Sequence, residues 1–365
     1  MDIIMTNRLD RGFQMYREQF ENAALRVLRS GWYIMGRELE TFEKDFAAYC
    51  GAAHCVGTGN GLDALYLACR ALGIKEGDEV IVQGNTFIAS VMGISMTGAT
   101  PVFVEPDEYY QINADLIEEK INEKTKAVMV VHLYGQTAEM DKITEICARH
   151  GLKLIEDCAQ SHGAKYKGQV SGTFGDAGCF SFYPSKNLGA FGDGGAVITD
   201  DEETDKTLRM LRNYGSAKRY YNEVVGVNSR LDEMQAALLD VRLKHLDALT
   251  LERKRIAERY LKEIKNPKIM LPKLREGSEH VYHQFVIRCK NRDRLAEYLE
   301  EKGIGTIVHY PVPPHLSKAY AYLGLKKGSL PVTEEYADTV LSIPMYNGIT
   351  EEEQETVIGA LNAYV

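Results

Sequence analysis

Short apolar runs rich in β-branched residues recur along the N-terminal half of the chain. They lie at Glu79–Gln83, 101–104, 127–133, 152–156, 178–182 and Gly195–Thr199, with a shorter one at 54–56. Most of these runs are almost continuously apolar, which is typical of sheet strands covered on both faces. The pattern therefore predicts the strands of a buried sheet.

Helical patterns lie between several of these runs. Segment 61–72 has the mixed apolar spacing of a largely buried helix, and segment 139–150 is amphipathic and ends at Gly151, a natural C-terminal cap. Strands that alternate with helices are typical of a mainly parallel sheet. We therefore predict the α/β class, with a mainly parallel, doubly covered sheet and ligand-binding loops beyond the carboxyl ends of its strands.

The pattern changes after Thr199. The stretch 231–261 is rich in Ala, Leu and charged residues and predicts one long helix. A strand near 282–289 and a helix near 292–302 indicate a smaller α+β unit. We predict two domains, a large α/β domain over residues 1–245 and a small C-terminal α+β domain over residues 246–365.

Composition and charge narrow the class of protein. The 365 residues include 43 Lys and Arg against 52 Asp and Glu, a net charge of −9, and 45% are hydrophobic. Such a chain has enough apolar residues to fold, and its acidity disfavours nucleic acid as a partner. No signal peptide and no span long enough for a membrane are evident, so we expect no membrane association.

The cysteines and histidines indicate the cellular compartment and whether a metal site is expected. The seven cysteines are scattered without a CxxC pair, which indicates reduced thiols and a cytoplasmic location. The nine histidines form no HExxH or similar motif, so we expect no metal site.

Three loops are candidates for chemistry. Segment 57–63 (GTGNGLD) precedes a predicted helix and is either an anion cradle or a glycine-rich tight turn. Segment 156–164 (EDCAQSHGA) follows a predicted strand, and its Asp157 could be a metal ligand, an acid/base, the counter-ion of a protonated heterocycle, or only a helix cap.

The third loop, 181–195 (SFYPSKNLGAFGDGG), places Lys186 among aromatic residues and glycines. Most lysines are solvated surface charges, but an apolar setting lowers the pKa of the amine and frees it to form a Schiff base. An anion cradle, a carboxylate and such a lysine are together what pyridoxal phosphate requires. We therefore predict pyridoxal 5′-phosphate as the cofactor.

These motifs resemble those of the DegT/DnrJ/EryC1/StrS sugar aminotransferases, which have the aspartate aminotransferase-like (type I) pyridoxal phosphate fold. The resemblance runs from GWYIMGRELETFEKDFAAYCG near Gly31, through the two loops after residue 155, to VHYPVPPH at 308–315. It implies an α/β transaminase with pyridoxal phosphate and no metal. The segments GWYIMG and GNGLDAL are most similar to the subgroup that aminates nucleotide-linked 3-keto-6-deoxyhexoses.

The resemblance also implies a role for individual residues. Lys186 corresponds to the lysine that forms the Schiff base and moves the proton, and Asp157 to the partner of the ring nitrogen. The other cofactor residues it implies are Gln160 at the 3-hydroxyl oxygen, Phe87 on the ring face (otherwise a core residue), and Gly61, Leu62 and Ser181 at the phosphate. Leu62 replaces the threonine common in the family, so one hydroxyl contact is missing.

The same resemblance implies partners and an assembly. Asn228 in GVNSR corresponds to a residue that reaches the phosphate in the neighbouring subunit, which implies a homodimer with shared active sites. L-Glutamate, converted to 2-oxoglutarate, is the expected amino donor, and the acceptor is a nucleotide-linked keto sugar, with thymidine diphosphate as the nucleotide. Substrate contacts are expected from Tyr183, Lys218, Arg219, His309 and Tyr310, although Lys218 and Arg219 equally fit a solvated charge run.

Three other functions are alternatives, and the residues named above fit them to different extents. A 4-keto nucleotide-sugar aminotransferase would share every catalytic residue named above. Related sugar dehydratases carry histidine where this chain has Lys186, which argues against that chemistry. A cofactor-binding regulatory protein would keep the cradle without needing a substrate pocket.

Overall fold

The computed structural model describes residues 3–365. Its helices are α1 Leu9–Met15, α2 Arg17–Ser30, α3 Arg37–Cys50, α4 Gly61–Ala71, α5 Ile88–Ser95, α6 Met140–His150, α7 Glu202–Leu211, α8 Glu233–Leu243, α9 Leu246–Glu263, α10 Arg292–Glu301, α11 Pro331–Thr339 and α12 Glu351–Ala363. Its strands are β1 His54–Thr58, β2 Glu79–Gln83, β3 Thr100–Val104, β4 Thr125–Val131, β5 Lys153–Asp157, β6 Lys165–Tyr166, β7 Gln169–Val170, β8 Ala177–Ser181, β9 Gly195–Thr199, β10 Ser216–Lys218, β11 Tyr221–Asn222, β12 Phe285–Arg288 and β13 Val340–Ile343.

A seven-stranded sheet with the order β1-β9-β8-β5-β4-β2-β3 forms the centre of this part of the molecule. The neighbours from β8 across to β3 pair in parallel, whereas β9 runs antiparallel to both β8 and β1. Its inner strands are almost wholly buried because separate hydrophobic clusters cover the two faces. This confirms the predicted α/β class and the mainly parallel, doubly covered sheet.

The apolar runs located the sheet strands to within a few residues. The run Gly195–Thr199 is strand β9 without any shift, and the run 178–182 is β8 moved by one residue. The predicted helices at 61–72 and 139–150 are α4 and α6, each one residue shorter than predicted. These elements can be recognised in the sequence because burial on both faces requires mostly apolar residues.

The prediction of one long helix over 231–261 is wrong. The structure has α8 and α9 there, separated at Lys244 and His245. The segment contains neither proline nor glycine, so the break comes from tertiary contacts. The His245 ring stacks on Tyr16 with centroids 3.8 Å apart, and its Nε2 lies 3.0 Å from Gln19 Oε1. Both contacts hold His245 against the N-terminal helices, where the helical path is interrupted.

The C-terminal region has a hydrophobic cluster that also includes Ile4 from the N-terminal segment. Strands β12 and β13 pair antiparallel, and α9, α10 and α12 contribute to the cluster with them. The strand predicted near 282–289 and the helix predicted near 292–302 are β12 and α10. The two-domain division at residue 245 stays a prediction, and it coincides with the break between α8 and α9. None of the helices within residues 3–365 combines the length and the apolar character needed to cross a bilayer.

Candidate active site

The residues predicted to carry chemistry lie at one end of the sheet strands, where the parallel strands finish. Thr58, Asp157 and Ser181 are the last residues of β1, β5 and β8. Strand β9 enters the sheet at the same end, opposite Ser181, so the 182–194 connection that contains Lys186 lies there too. The sheet thus brings the three predicted loops together at the carboxyl ends of its strands, as expected for an α/β site.

Asp157 is buried and has a hydrogen-bond donor on each carboxylate oxygen. Ser90 Oγ donates to Oδ2 at 2.7 Å, and the Ala159 amide donates to Oδ1 at 3.1 Å. Burial raises the pKa of Asp157, while these two donors and the charge of Lys186 oppose that rise. A carboxylate held in this way retains lone pairs for one further donor, such as a protonated ring nitrogen.

Lys186 lies half-buried in the connection between β8 and β9, where its own amide donates to Tyr183 O at 2.8 Å. Burial lowers the pKa of Lys186 from 10.5 to about 8, and the charge of Asp157 partly opposes this. An amine with a pKa near physiological pH is partly neutral and can act as a nucleophile and as a proton carrier.

The anion cradle, which we define as residues 59–63 together with Ser181, is formed where α4 begins. The Asn60 side chain caps this helix by accepting from the Asp63 amide at 2.8 Å. Within residues 3–365 the amides of Gly61 and Leu62 have no hydrogen-bond acceptor, so both remain free for an anion. A Cβ at Gly61 would lie 2.6 Å from Ser181 Cβ, so only glycine permits this close approach.

Gln160 connects the site to the chain around residue 310. Its Oε1 accepts from the Tyr134 amide at 2.6 Å, and its Nε2 donates to the Tyr310 hydroxyl at 3.1 Å. Tyr134 Oη in turn donates to the carbonyl of His309, whose Nδ1 is 2.8 Å from Ser342 Oγ. Burial lowers the pKa of His309 to about 4, so its ring is neutral. His309 and Tyr310 therefore border the site beside Gln160.

Phe87 is the residue before α5, and 48% of its surface is exposed. Its ring centroid lies 5.0 Å from that of Tyr310. This exposure excludes the alternative that Phe87 is a core residue, and its position beside Tyr310 leaves its ring face available to a ligand.

The remaining predicted substrate residues are exposed. Tyr183 is 55% exposed, next to the Lys186 loop. Lys218 and Arg219 lie on the β10–β11 hairpin, each over the ring of a tyrosine in the same hairpin. Neither cation forms an ion pair within residues 3–365. The structure places Tyr183 beside the site, while the hairpin cations lie out on the surface.

Asn228 lies in an extended loop rather than in a helix. Residues 227–229 pair along 211–214, with the Val227 amide donating to Leu211 O and the Ser229 amide donating to Arg212 O. The Asn228 side chain is exposed, whereas Ser229 is buried. Asn228 is therefore on the opposite side of this extended segment from Ser229.

A second group of titratable residues, His132, Glu156 and Cys158, lies beneath the site with ligand atoms close to one another. The carboxylate of Glu156 is occupied by the amides of Gly172, Phe174 and Gly175 and by His132 Nε2 at 2.9 Å. His132 Nδ1 accepts from the Ala138 amide. These lone pairs are already used, so Glu156 and His132 hold the segment before β8, and the group is a poor metal site.

Sequence reasoning missed several polar residues that organise the site. Thr86 and Ser90 form a hydroxyl chain to Asp157, with their oxygens 2.7 Å apart. Thr86 lies just before α5 and Ser90 in its first turn, so the two hydroxyl residues in the otherwise mostly apolar segment NTFIAS were a usable signal. Tyr134 and Ser229 have no such signal, because their contacts join segments that are distant in sequence.

His162, in the same loop as Asp157 and Gln160, has no assigned role. It is fully buried beside Phe180 and Phe182, and within residues 3–365 neither ring nitrogen has a hydrogen-bond partner. Burial and the charge of Lys186 lower its pKa to about 3, so the ring is neutral and cannot serve as a cation for a phosphate.

The donor set fits pyridoxal phosphate. Two free amides at a helix N-terminus and the Ser181 hydroxyl suit a phosphate, a buried carboxylate suits a ring nitrogen, and an amine of lowered pKa suits an aldehyde. The cradle that a Cβ at Gly61 would fill is the structural observation that favours a bound group here over a packed turn.

Known proteins show the same architecture. The chain is 52% identical over 350 residues, 96% of each sequence, to the dTDP-3-amino-3,6-dideoxy-alpha-D-galactopyranose transaminase of Aneurinibacillus thermoaerophilus. The crystal structure of DesV from S. venezuelae, in complex with a ketimine intermediate, superposes with a TM-score of 0.98 at 47% identity and full coverage of both chains. The structure of NtdA from Bacillus subtilis, with bound cofactor PMP, has a TM-score of 0.89 at 32% identity, covering 97% of this chain and 83% of NtdA.

The family comparison gives the same result as the motifs. Residues 14–362 match the model of the DegT/DnrJ/EryC1/StrS aminotransferase family, which confirms the expected fold and transaminase class. With this match, the relatives above and the geometry of the site, the chain belongs to the DegT/DnrJ/EryC1/StrS aminotransferase family.

Proposed function

We propose that this aminotransferase moves an amino group from L-glutamate to a dTDP-linked 3-keto-6-deoxyhexose, giving the dTDP-linked 3-amino-3,6-dideoxyhexose and 2-oxoglutarate. The observation that supports this most is the similarity to a dTDP-3-amino-3,6-dideoxyhexose transaminase along nearly the whole chain. The site supports it, because Asp157, Ser181 and the connection that contains Lys186 lie together at the carboxyl ends of the sheet strands.

Pyridoxal phosphate is the cofactor that this site would hold. When bound, it supplies an aldehyde carbon that accepts an amino group and a protonated ring that withdraws electrons from it. Asp157 would accept from the ring nitrogen and keep it protonated, and Gln160 would donate to the 3-hydroxyl oxygen. Phe87 would cover one face of the ring.

Other residues would bind the cofactor phosphate and carry the proton that is transferred in the reaction. The amides of Gly61 and Leu62 and the hydroxyl of Ser181 would donate to the phosphate. Lys186 would hold the cofactor covalently, and its amine, when free, would take the proton from the α-carbon of the amino donor. Its pKa of about 8 allows the amine to be neutral when it accepts that proton and charged when it returns it.

The acceptor sugar nucleotide is proposed to lie over the same end of the sheet strands. His309 and Tyr310 border the site beside Gln160, and Tyr183 is exposed next to Lys186. Lys218 and Arg219 are unpaired cations on a projecting hairpin, which suits a diphosphate.

We further propose a homodimer with shared active sites. Four consecutive residues, Trp32 to Met35, are exposed large apolar side chains, with Trp32 63% and Tyr33 51% exposed. A contiguous exposed apolar segment is typical of an interface. The anion cradle lacks a hydroxyl at Leu62, and the exposed Asn228 can supply a donor to the cradle in the partner subunit.

The cytoplasmic location also remains a proposal. Its support is that all seven cysteines are free and buried, as in a reducing compartment. The proposed division into domains 1–245 and 246–365 is supported by the hydrophobic cluster of the C-terminal region, whose members apart from Ile4 all lie beyond residue 245.

Incubation with L-glutamate and a panel of 3-keto and 4-keto nucleotide sugars tests this proposal. We expect amination of the dTDP-3-keto-6-deoxyhexose, with products identified by mass spectrometry and NMR. Borohydride reduction should fix the cofactor on Lys186, and Lys186→Ala should abolish turnover, whereas Lys124→Ala, at an exposed lysine, should not.

Each alternative predicts a different result in the same assay. Amination of the 4-keto sugars alone would reassign the substrate. Retention of the cofactor without turnover of any acceptor would indicate a regulatory protein. A borohydride adduct on another lysine would contradict the site itself.

A further inference from the structure

The loop that presents Asn228 is attached to the anion cradle of its own chain. Ser229, the next residue, is only 2% exposed, and its Oγ accepts from the Gly59 amide at 2.9 Å. The same hydroxyl donates to Asp63 Oδ2 at 2.6 Å. Gly59 and Asp63 lie on either side of the free amides at the start of α4, so one hydroxyl bridges the cradle.

A second attachment ties the same loop to the strand before the cradle. Glu43 is buried, and its Oε1 accepts from the Gly57 amide at 2.7 Å and from Arg212 Nη1. Arg212 Nη1 also donates to Gly57 O at 2.8 Å, and the Arg212 carbonyl accepts from the Ser229 amide at 2.9 Å. The strand β1, α7 and the loop 226–230 are thereby joined around one buried ion pair.

Ser229 and Asn228 lie on opposite sides of this extended loop. Successive side chains of an extended segment point in opposite directions, and the burial of Ser229 beside the exposed Asn228 agrees with this. A change in the position of Ser229 therefore moves Asn228 as well. The cradle of one chain and the donor that this chain offers to its partner are mechanically linked through two adjacent residues.

We propose that Ser229 is a positioning residue for cofactor phosphates in both sites of the dimer: its hydroxyl holds the Gly59–Asp63 part of its own anion cradle and fixes the loop that presents Asn228 to the partner's cradle. The inference rests on the proposed cofactor and the proposed shared sites. Ser229 itself touches no phosphate in this arrangement, since its hydroxyl is already bonded to Gly59 and Asp63.

Mixed dimers separate the two effects of Ser229. Two differently tagged chains are co-expressed and purified through both tags, and one chain always carries Lys186→Ala, so only the other can form a covalent adduct with pyridoxal phosphate. Ser229→Ala is placed either on the lysine-bearing chain, where it disturbs that site's own cradle, or on the Lys186→Ala chain, where it disturbs only the loop offering Asn228. The readout is the borohydride-fixed adduct on Lys186 against the concentration of pyridoxal phosphate.

We expect both placements to raise the concentration for half-saturation by about five- to tenfold, as for the loss of one or two hydrogen bonds. Ser229→Thr, which retains the hydroxyl, should restore much of the affinity. Ser171→Ala is the matched control, because Ser171 is fully buried and bonded to Ser161 away from the cradle. It should leave half-saturation unchanged even if it lowers the melting temperature.

Other outcomes overturn the inference. An effect from only one placement shows that Ser229 serves only one of the two sites, and no effect from either shows that its hydroxyl is dispensable. A mixed dimer with intact Ser229 that forms no adduct on Lys186 contradicts the proposed cofactor role instead, and a chain that is monomeric contradicts the shared sites. The failure of the proposed function is thus distinguishable from the failure of this inference.

Discussion

At the scale of single residues, Lys186 differs from a surface lysine in its burial. Burial lowers the pKa of its amine to about 8, and the negative charge of Asp157 limits that fall. Only the neutral amine attacks an aldehyde, so the rate of covalent cofactor capture by the cofactor-free enzyme should rise with pH and level off above about pH 8. Stopped-flow absorbance measures this profile.

A substitution that removes the charge of Asp157 tests the cause of that pH profile. Because Asp157 raises the pKa of Lys186, Asp157→Asn should move the midpoint of cofactor capture to lower pH. A midpoint near the ordinary lysine value of 10.5 in the unsubstituted enzyme would show that Lys186 is not buried as the structure has it.

Asp157 should also determine the rate of turnover. Asp157→Asn preserves shape but removes the charge that holds the ring proton, and loss of such a partner costs about 10²–10³ in rate. We expect the cofactor to remain bound while turnover falls by this factor in steady-state assays. Asp200→Asn, at a carboxylate that accepts from the Ala53 amide, should keep normal turnover. Near-normal activity of Asp157→Asn would remove Asp157 from its proposed role.

Residue identities could be predicted where a sequence motif contains all the participants. Asp157, Gln160 and Lys186 lie in two short motifs of strong chemical character, and the structure places Asp157 and Lys186 near enough for each charge to shift the pKa of the other. Ser229 could not be predicted, because its role depends on Gly59 and Asp63, which are some 170 residues away in the chain. The sequence around a serine does not show which distant groups its hydroxyl will bond to in the folded chain.

At the scale of secondary-structure elements, the start of α4 depends on the absence of a side chain. A Cβ at Gly61 would lie 2.6 Å from Ser181 Cβ and would push β8 away from the helix N-terminus. Gly61→Ala should therefore weaken cofactor binding about tenfold or more, measured by fluorescence titration of the cofactor-free protein, because the Ser181 hydroxyl and the amides of Gly61 and Leu62 would shift apart.

Gly359→Ala is the control for this substitution. Gly359 lies in the interior of α12, where an added Cβ would meet nothing within 4 Å. Alanine should stabilise that helix by roughly 0.5–1 kcal/mol and leave cofactor affinity unchanged. Equal cofactor affinities for the two alanine variants would contradict the close approach of Gly61 and Ser181.

Elements could be predicted where burial on both faces dominates composition, as in β2 and β9. The break between α8 and α9 could not, because it depends on the contact of His245 with Tyr16 and Gln19. The two-residue strands β7 and β11 are too short for a period of two to be visible in the sequence.

At the scale of the whole molecule, the proposed shared sites predict complementation in trans. Asn228→Ala should weaken cofactor retention by roughly 1–3 kcal/mol, the range for losing one hydrogen bond to a charged group. Mixing it with Lys186→Ala allows dimers in which one site combines an intact lysine with an intact Asn228. Activity should then exceed that of either variant alone.

The oligomeric state supplies the check on that result. Analytical ultracentrifugation should find a dimer for the unsubstituted protein and for both variants. An active monomer, or an Asn228→Ala variant that retains the cofactor normally, would contradict a site built from two chains.

The reactivity of the buried cysteines can report how the molecule unfolds. They are distributed among four hydrophobic clusters of residues 3–365. Cys69 lies in the cluster between the sheet and α4, Cys289 in that of the C-terminal region, Cys55 in the one that includes α3 and α8, and Cys147 in the one that includes α6. Burial raises the thiol pKa of Cys69 and Cys147 to about 12, which suppresses the reactive thiolate. Alkylation during gradual denaturation, followed residue by residue by mass spectrometry, would consequently report the order in which the separate clusters admit solvent.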